Sequence, residues 1–201
     1  MQITRNRSVL VETFGASDGV ALRAKQAFLV LAGIALLAVC AKIKVPVPGS
    51  PVAMSLGTFA VLGVGAAYGP RLGLVTIMGY MIVGMLGFDI FQNSTAELNG
   101  IEYMMGGTGG YLVGYVMATV LMGLLARAGW DRSALKMAGA MLLGNVVMYV
   151  PGLIWLGMLY GWDKPLLEWG LTPFLVGDAI KLALAAMILP ALWTLVGRAR
   201  G

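Results

Sequence analysis

Six apolar stretches, separated by short polar or glycine- and proline-rich interruptions, organise this chain. They cover residues 24–41, 52–68, 72–88, 109–128, 134–160 and 172–196, close to the length of about 17–25 residues that an α-helix needs to cross a bilayer. Pro46, Pro48, Gly49 and Pro51 follow the first stretch, and Gly69-Pro70-Arg71 follows the second. A polar run, 89–108, follows the third. Gly129-Trp130-Asp131-Arg132 and Gly161-Trp162-Asp163-Lys164-Pro165 close the fourth and fifth. The pattern predicts an all-α membrane protein, a six-transmembrane-helix bundle forming one domain over 1–201. Residues 1–23 precede the helices, which occupy 24–196. Pro151-Gly152 predicts a bend or break in the fifth span, because proline removes a helix hydrogen bond.

Composition strengthens this picture. Hydrophobic residues make up 59% of the 201 and charged residues only 11%, more apolar side chain than a soluble domain of this length can cover. With no histidine and one cysteine, Cys40, the chain can form neither an internal disulfide nor a Cys/His metal cluster. The net charge of +5 does not point to nucleic acid, because the basic residues are scattered beside apolar segments. They sort by side instead. Arg5, Arg7, Arg23, Lys25, Arg71, Arg127, Arg132, Lys136, Arg198 and Arg200 fall on one side, against Lys42, Lys44 and Lys164 on the other. The positive-inside rule then puts both termini in the cytoplasm of a multi-pass protein of a bacterial inner membrane. Cys40 ends an apolar run loosely like a lipoprotein signal, but Val39 is larger than the small residue such signals carry; a first transmembrane helix is the preferred reading.

Two charges break the last stretch. Asp178 and Lys181, three apart, share a helix face, and a charge at bilayer depth costs roughly 2.5–3.5 kcal/mol on insertion scales unless it faces a wet or protein-lined interior. The topology places the pair one or two turns below the outer surface, beneath the 89–108 loop. Either it is a structural ion pair pinning helix six to a neighbour, or it holds a polar ligand that enters from outside. In the second reading Lys181 supplies a positive charge, Asp178 accepts from N–H donors, and Gly177 allows close approach.

Other polar features are candidates for the same site. Gly107, Thr108, Gly109, Gly110 and Tyr111 enter the fourth span; they form either a tight turn or a set of backbone N–H groups for a ligand oxygen. No Gly-Lys-Ser/Thr occurs in the chain, which argues against ATP binding. Asn145 and Tyr149 make a polar stripe in span five, read as interhelical hydrogen bonding or ligand contact. Trp155 is an interfacial anchor or a pocket wall, and Ser55 and Thr58 read as helix–helix contacts. Gln92, Asn93, Ser94 and Asn99 could belong to a lid. Ala32, Ala35, Ala38 and Ala41 give helix one a smooth stripe suited to a neighbouring helix or a partner protein. As a membrane enzyme the chain would use Asp178 and Lys181 as acid and base, but no nucleophile or metal cluster converges with them.

Several blocks together resemble the BioY family of biotin-uptake proteins: Lys42 to Pro46, Pro51-Val52, Gly69 to Gly73, Gly107 to Tyr111, Tyr149 with Gly152 and Trp155-Leu156, then Pro173-Phe174, Gly177-Asp178 and Lys181. The resemblance implies a substrate-binding S component of an energy-coupling factor (ECF) transporter, with biotin as ligand and no cofactor of its own. The expected partners are a membrane coupling subunit and ATPase subunits. It also implies that Asp178 and Lys181 contact biotin, that Gly107 to Tyr111 help form the pocket, and that Tyr149 and Trp155 flank the bicyclic ring. Lys181 could meet either the carboxylate or the ureido carbonyl. A solitary biotin carrier, or the same fold for another vitamin, remains the alternative. The chain departs from the family pattern in two places. Gly57 stands where the family commonly has glutamine, and the alanines of helix one repeat at threes rather than as Ala-x-x-x-Ala.

Overall fold

The computed structural model describes residues 8–45 and 54–200. Pro46, Pro48, Gly49, Pro51 and Val52, with Arg5 and Arg7, lie outside the described residues, as do the side chains of Arg198 and Arg200. In chain order the helices are α1 (Gly19–Lys42), α2 (Gly57–Met85), α3 (Gly100–Met104), α4 (Gly109–Arg127), α5 (Ala134–Tyr160), α6 (Leu166–Gly170) and α7 (Leu175–Arg200). Single 3-10 turns occupy Leu10–Thr13, Trp130–Arg132 and Thr172–Phe174. The all-α expectation needs one small amendment. β1 (Lys44–Val45) pairs antiparallel with β2 (Met54–Ser55), Lys44 opposite Ser55.

Among the described residues five helices are long and apolar enough to cross a membrane: α1, α2, α4, α5 and α7. α2 takes in most of both the second and the third predicted stretches, 57–68 of the one and 72–85 of the other. Gly69 interrupts it with φ 77° and ψ 176°, a left-handed backbone that glycine adopts without a Cβ penalty. The halves on either side double back. A Cβ on Gly73 would lie 3.5 Å from the Cα of Gly65, whereas eight residues of continuous helix span about 12 Å. Pro70 is favourable here, because the first turn of the second half has no use for its missing N–H.

Small residues let the helices approach closely. A Cβ on Gly65 would sit 2.6 Å from the Thr119 carbonyl oxygen of α4, and one on Gly123 would sit 2.3 Å from the Pro70 nitrogen. On the other side of α4, a Cβ on Gly114 would lie 2.7 Å from the Met148 Cα of α5. Pro151 does not interrupt α5, which runs as helix from Ala134 to Tyr160. Neighbouring helices and local adjustment accommodate proline in membrane helices, and here Gly110 of α4 packs directly on the Pro151 carbonyl.

α1 is the helix least covered by the rest of the protein. It buries Gly33, Leu37 and Ala41, four residues apart, and leaves Ala32 and Ala35 exposed. The alanine stripe therefore divides between an inward and an outward face.

The two ends of the bundle are tied differently. At one end the segment before α1 folds under the bundle. Val9 is fully buried against Gly69, Glu12 pairs with Arg127, and Arg132 donates to the Ser8 carbonyl at 3.1 Å. Beside it Asp131, also buried, accepts from the Trp193 indole at 2.6 Å, while Arg132 stacks 4.2 Å above that ring. Burial pushes the Asp131 carboxyl pKa up. At the other end the 86–108 strap, which contains α3, crosses the end of α1. Lys42 pairs there with Asp89 and donates to the Ser94 carbonyl at 3.0 Å, and Lys44 donates to the Asn93 side chain at 2.9 Å. The Lys42 and Ser94 hydrogen bonds lower the Asp89 pKa.

Candidate functional site

Beneath the strap lies a cavity formed by the ends of α1, α2, α4 and α7 and by mid-α5. Its polar floor is the pair read from the sequence. Lys181 Nζ lies 3.1 Å from Asp178 Oδ1, and both residues are almost fully buried, at 7% and 5% exposure. α7 turns them inward because the Thr172–Phe174 turn, with Pro173 inside it, starts the helix just before them.

Two further elements hold the pair. The Tyr149 hydroxyl of α5 donates to Asp178 Oδ2, and Lys181 donates to Thr58 Oγ1 of α2 at 2.8 Å. Thus Asp178 and Lys181 form an overall neutral, oriented dipole fixed from three helices. An ammonium has three N–H donors and a carboxylate about four lone-pair sites. With these bonds made, one donor and about two acceptor positions remain for a ligand.

The walls are largely aromatic and apolar. Tyr111, Tyr115 and Leu112 of α4, Tyr80 of α2 and Phe174 line the cavity with Tyr103 of α3. Tyr111 meets Tyr149 edge to face, with centroids 6.2 Å apart, and donates to the Gly170 carbonyl at 2.7 Å. Gln92 of the strap also lines the cavity, and its Oε1 accepts from the Ser55 hydroxyl at 2.8 Å. Counting its mouth, the atom-free space is about 570 Å³, within the usual range for small-molecule pockets.

The predicted residues fall into two groups. Asp178, Lys181, Tyr149, Tyr111 and Thr108 converge on the cavity. Gly107, Gly109, Gly110, Asn145 and Trp155 are not in its lining. Trp155 stands behind the wall, donating to the Gly106 carbonyl at 2.9 Å, with Gly109 and Gly110 packed on its ring and Cβ. These two glycines therefore set the α4–α5 distance at the site. Asn145 is buried elsewhere in α5. Ser55 and Thr58, read as helix contacts, instead face the cavity from β2 and the first turn of α2. Sequence reasoning missed Tyr80, Tyr103, Leu112 and Tyr115. The i, i+4 spacing of Tyr111 and Tyr115 was a usable signal.

The family model described as the BioY family matches residues 12–198. The chain belongs to the BioY family. A Pyrococcus horikoshii protein described as a probable biotin transporter BioY is 34% identical over 167 residues, covering 83% of this chain and 95% of that one. The biotin transporter BioY of Thermotoga maritima is 31% identical over 162 residues, covering 80% and 92% respectively. In fold, the chain is similar to the crystal structure of an S-component for biotin from an ECF-type ABC transporter. The TM-score is 0.74 at 21% identity, over 89% of this chain and 95% of that one. BioY membership agrees with a bundle of several membrane-crossing helices.

Proposed function

We propose that the protein captures biotin at the outer face of the membrane as the substrate-binding subunit of an ECF-type uptake system. The observation that carries this reading is the neutral Asp178–Lys181 pair at the floor of an aromatic-walled cavity. A cyclic urea presents its carbonyl acceptor between two diverging N–H donors. Asp178 accepts from one N–H and the free N–H of Lys181 meets the adjacent carbonyl, with no net charge to bury. A carboxylate at the same place would lie against the negative end of the pair. The ureido pole therefore goes to the floor, while the thiophane ring packs among Tyr111, Tyr149 and Phe174 and the acid tail lies toward the strap. Close relatives described as biotin transporters support the ligand.

The remaining organisation accords with the same reading. The halves of α2 act as separate spans, giving six crossings, and the basic end, with Lys25, Arg71, Arg127 and Lys136, lies in the cytoplasm with both termini. The exposed Ala32–Ala35 face of α1 is open to a membrane coupling subunit, and separate ATPase subunits supply the energy. The protein is a carrier subunit, not an enzyme. Entry of biotin displaces the strap, and the bond that Ser55 donates to Gln92 is among the contacts that must break.

Titration of the purified, folded protein with biotin tests the reading, with other vitamins as competitors. Saturable binding that those vitamins do not displace is expected; a folded protein that binds no biotin rejects it. Co-purification with ATPase subunits separates the coupled system from a solitary carrier.

A further inference from the structure

A second cavity lies at the basic end, far from the first. It forms between the segment preceding α1, the first turns of α1, and α2 on both sides of the Gly69 reversal. Counting its mouth, its atom-free space is about 1100 Å³, against about 570 Å³ for the strap-covered pocket. Its lining is divided in character. Lys25, Arg71 and Arg127 supply cations, while Leu29, Leu72 and Val75 supply an apolar wall. Glu12 is the one acid in the lining, and Arg127 already holds it in an ion pair. Lys25 donates to the Phe14 carbonyl, and Arg71 is exposed with no hydrogen bond or ion pair to any described residue.

We propose that this cavity seats the anionic headgroup of a membrane phospholipid. Arg71 and Lys25 hold the phosphodiester, and the start of an acyl chain runs along Leu29, Leu72 and Val75. Charge complementarity selects the ligand class, because two cations remain after Glu12 has neutralised Arg127. The apolar wall selects a lipid over a free anion, since inorganic phosphate has nothing to bury against leucine and valine. The depth also fits. Lys25 lies in the second turn of α1 and Arg71 in the first turn of the second half of α2, near the helix ends, where basic pockets between membrane helices take lipid headgroups. A lipid seated there would brace the segment before α1 against the α2 reversal. The proposal stands independently of biotin.

Native mass spectrometry of the full chain in detergent, with added phosphatidylglycerol or phosphatidylcholine of matched acyl chains, tests it. Phosphatidylglycerol should be retained preferentially. Arg71→Gln and Lys25→Gln should each reduce that preference about fivefold. Lys136→Gln, exposed at the same end and outside the cavity, should leave it unchanged. Arg71 is exposed, so its variant keeps the fold, and an unchanged melting temperature verifies this. Equal retention of the two lipids overturns the proposal, as does an equal loss with Lys136→Gln. Displacement of phosphatidylglycerol by millimolar inorganic phosphate would make the site one for a free anion and also overturn it.

Discussion

Replacing Lys181 by Met keeps most of the side-chain volume and removes the charge. The neighbours of Lys181 determine the outcome. Asp178, 5% exposed, would keep only the Tyr149 hydroxyl, and Thr58 would lose its partner. Breaking one side of a buried ion pair costs about 3–5 kcal/mol, whereas replacing both sides with apolar residues of similar volume is often neutral. Lys181→Met should therefore lower the melting temperature strongly, and Lys181→Met combined with Asp178→Leu should recover most of that loss. Biotin binding should behave differently. Each single change, Lys181→Ala or Asp178→Asn, should weaken it by about 1–3 kcal/mol, and the stable double variant should not bind at all. Thermal unfolding and calorimetric titration on the same samples separate the two effects. A double variant that binds biotin within twofold of the parent would show that the pair serves only structure. A single variant as stable as the double would show that the two charges are not coupled as their 3.1 Å separation implies.

Gly110→Ala would drive a Cβ to 2.3 Å from both the Pro151 carbonyl oxygen and Trp155 Cβ. It should cost at least about 1–3 kcal/mol in thermal stability, while Gly63→Ala, with nothing within 4 Å, should be neutral or gain up to about 1 kcal/mol. Gln92→Ala should speed biotin association in stopped-flow measurements by removing the bond donated by Ser55; an unchanged rate would place the entry barrier elsewhere. Because its Lys42 and Ser94 partners lower the Asp89 pKa, the contact between strap and α1 is fully present above the unfolded carboxylate pKa of about 3.9. It is lost as pH falls through the lower folded value, which hydrogen exchange over residues 86–99 would detect. Asp131 has the opposite shift, so its burial disfavours the fold above the raised value. Asp131→Asn should match or exceed the parent in melting temperature at pH 7, provided the Trp193 hydrogen bond survives.

The legible features were those that conflict with their surroundings. Asp178 and Lys181 stand out because charge in hydrocarbon demands a partner, and Gly69-Pro70 because neither continues a helix readily. Tyr80 and Tyr115 were hidden for the opposite reason, since an aromatic residue in an apolar span looks the same whether it faces a ligand or a neighbour. Gln92 was legible as one of several polar residues of a lid, but its particular partner was not: the bond comes from Ser55, 37 positions earlier, and sequence periodicity carries no information about that pairing. Trp155, Gly109 and Gly110 were placed in the right neighbourhood but one layer too far in. The segment before α1 has no periodicity to read, so its burial of Val9 was invisible.

That segment also constrains the order of assembly. Glu12 and Ser8 find their partners in Arg127 and Arg132, 115 and 124 positions later. Ser8 and Glu12 must therefore wait for these partners until α4 and the turn after it have been inserted. Contacts of such long sequence separation form late, after the chain between them has been ordered. The segment 8–18 before α1 is thus among the last parts to settle, and a bulky group introduced within it would meet its obstruction at the close of folding rather than at its start.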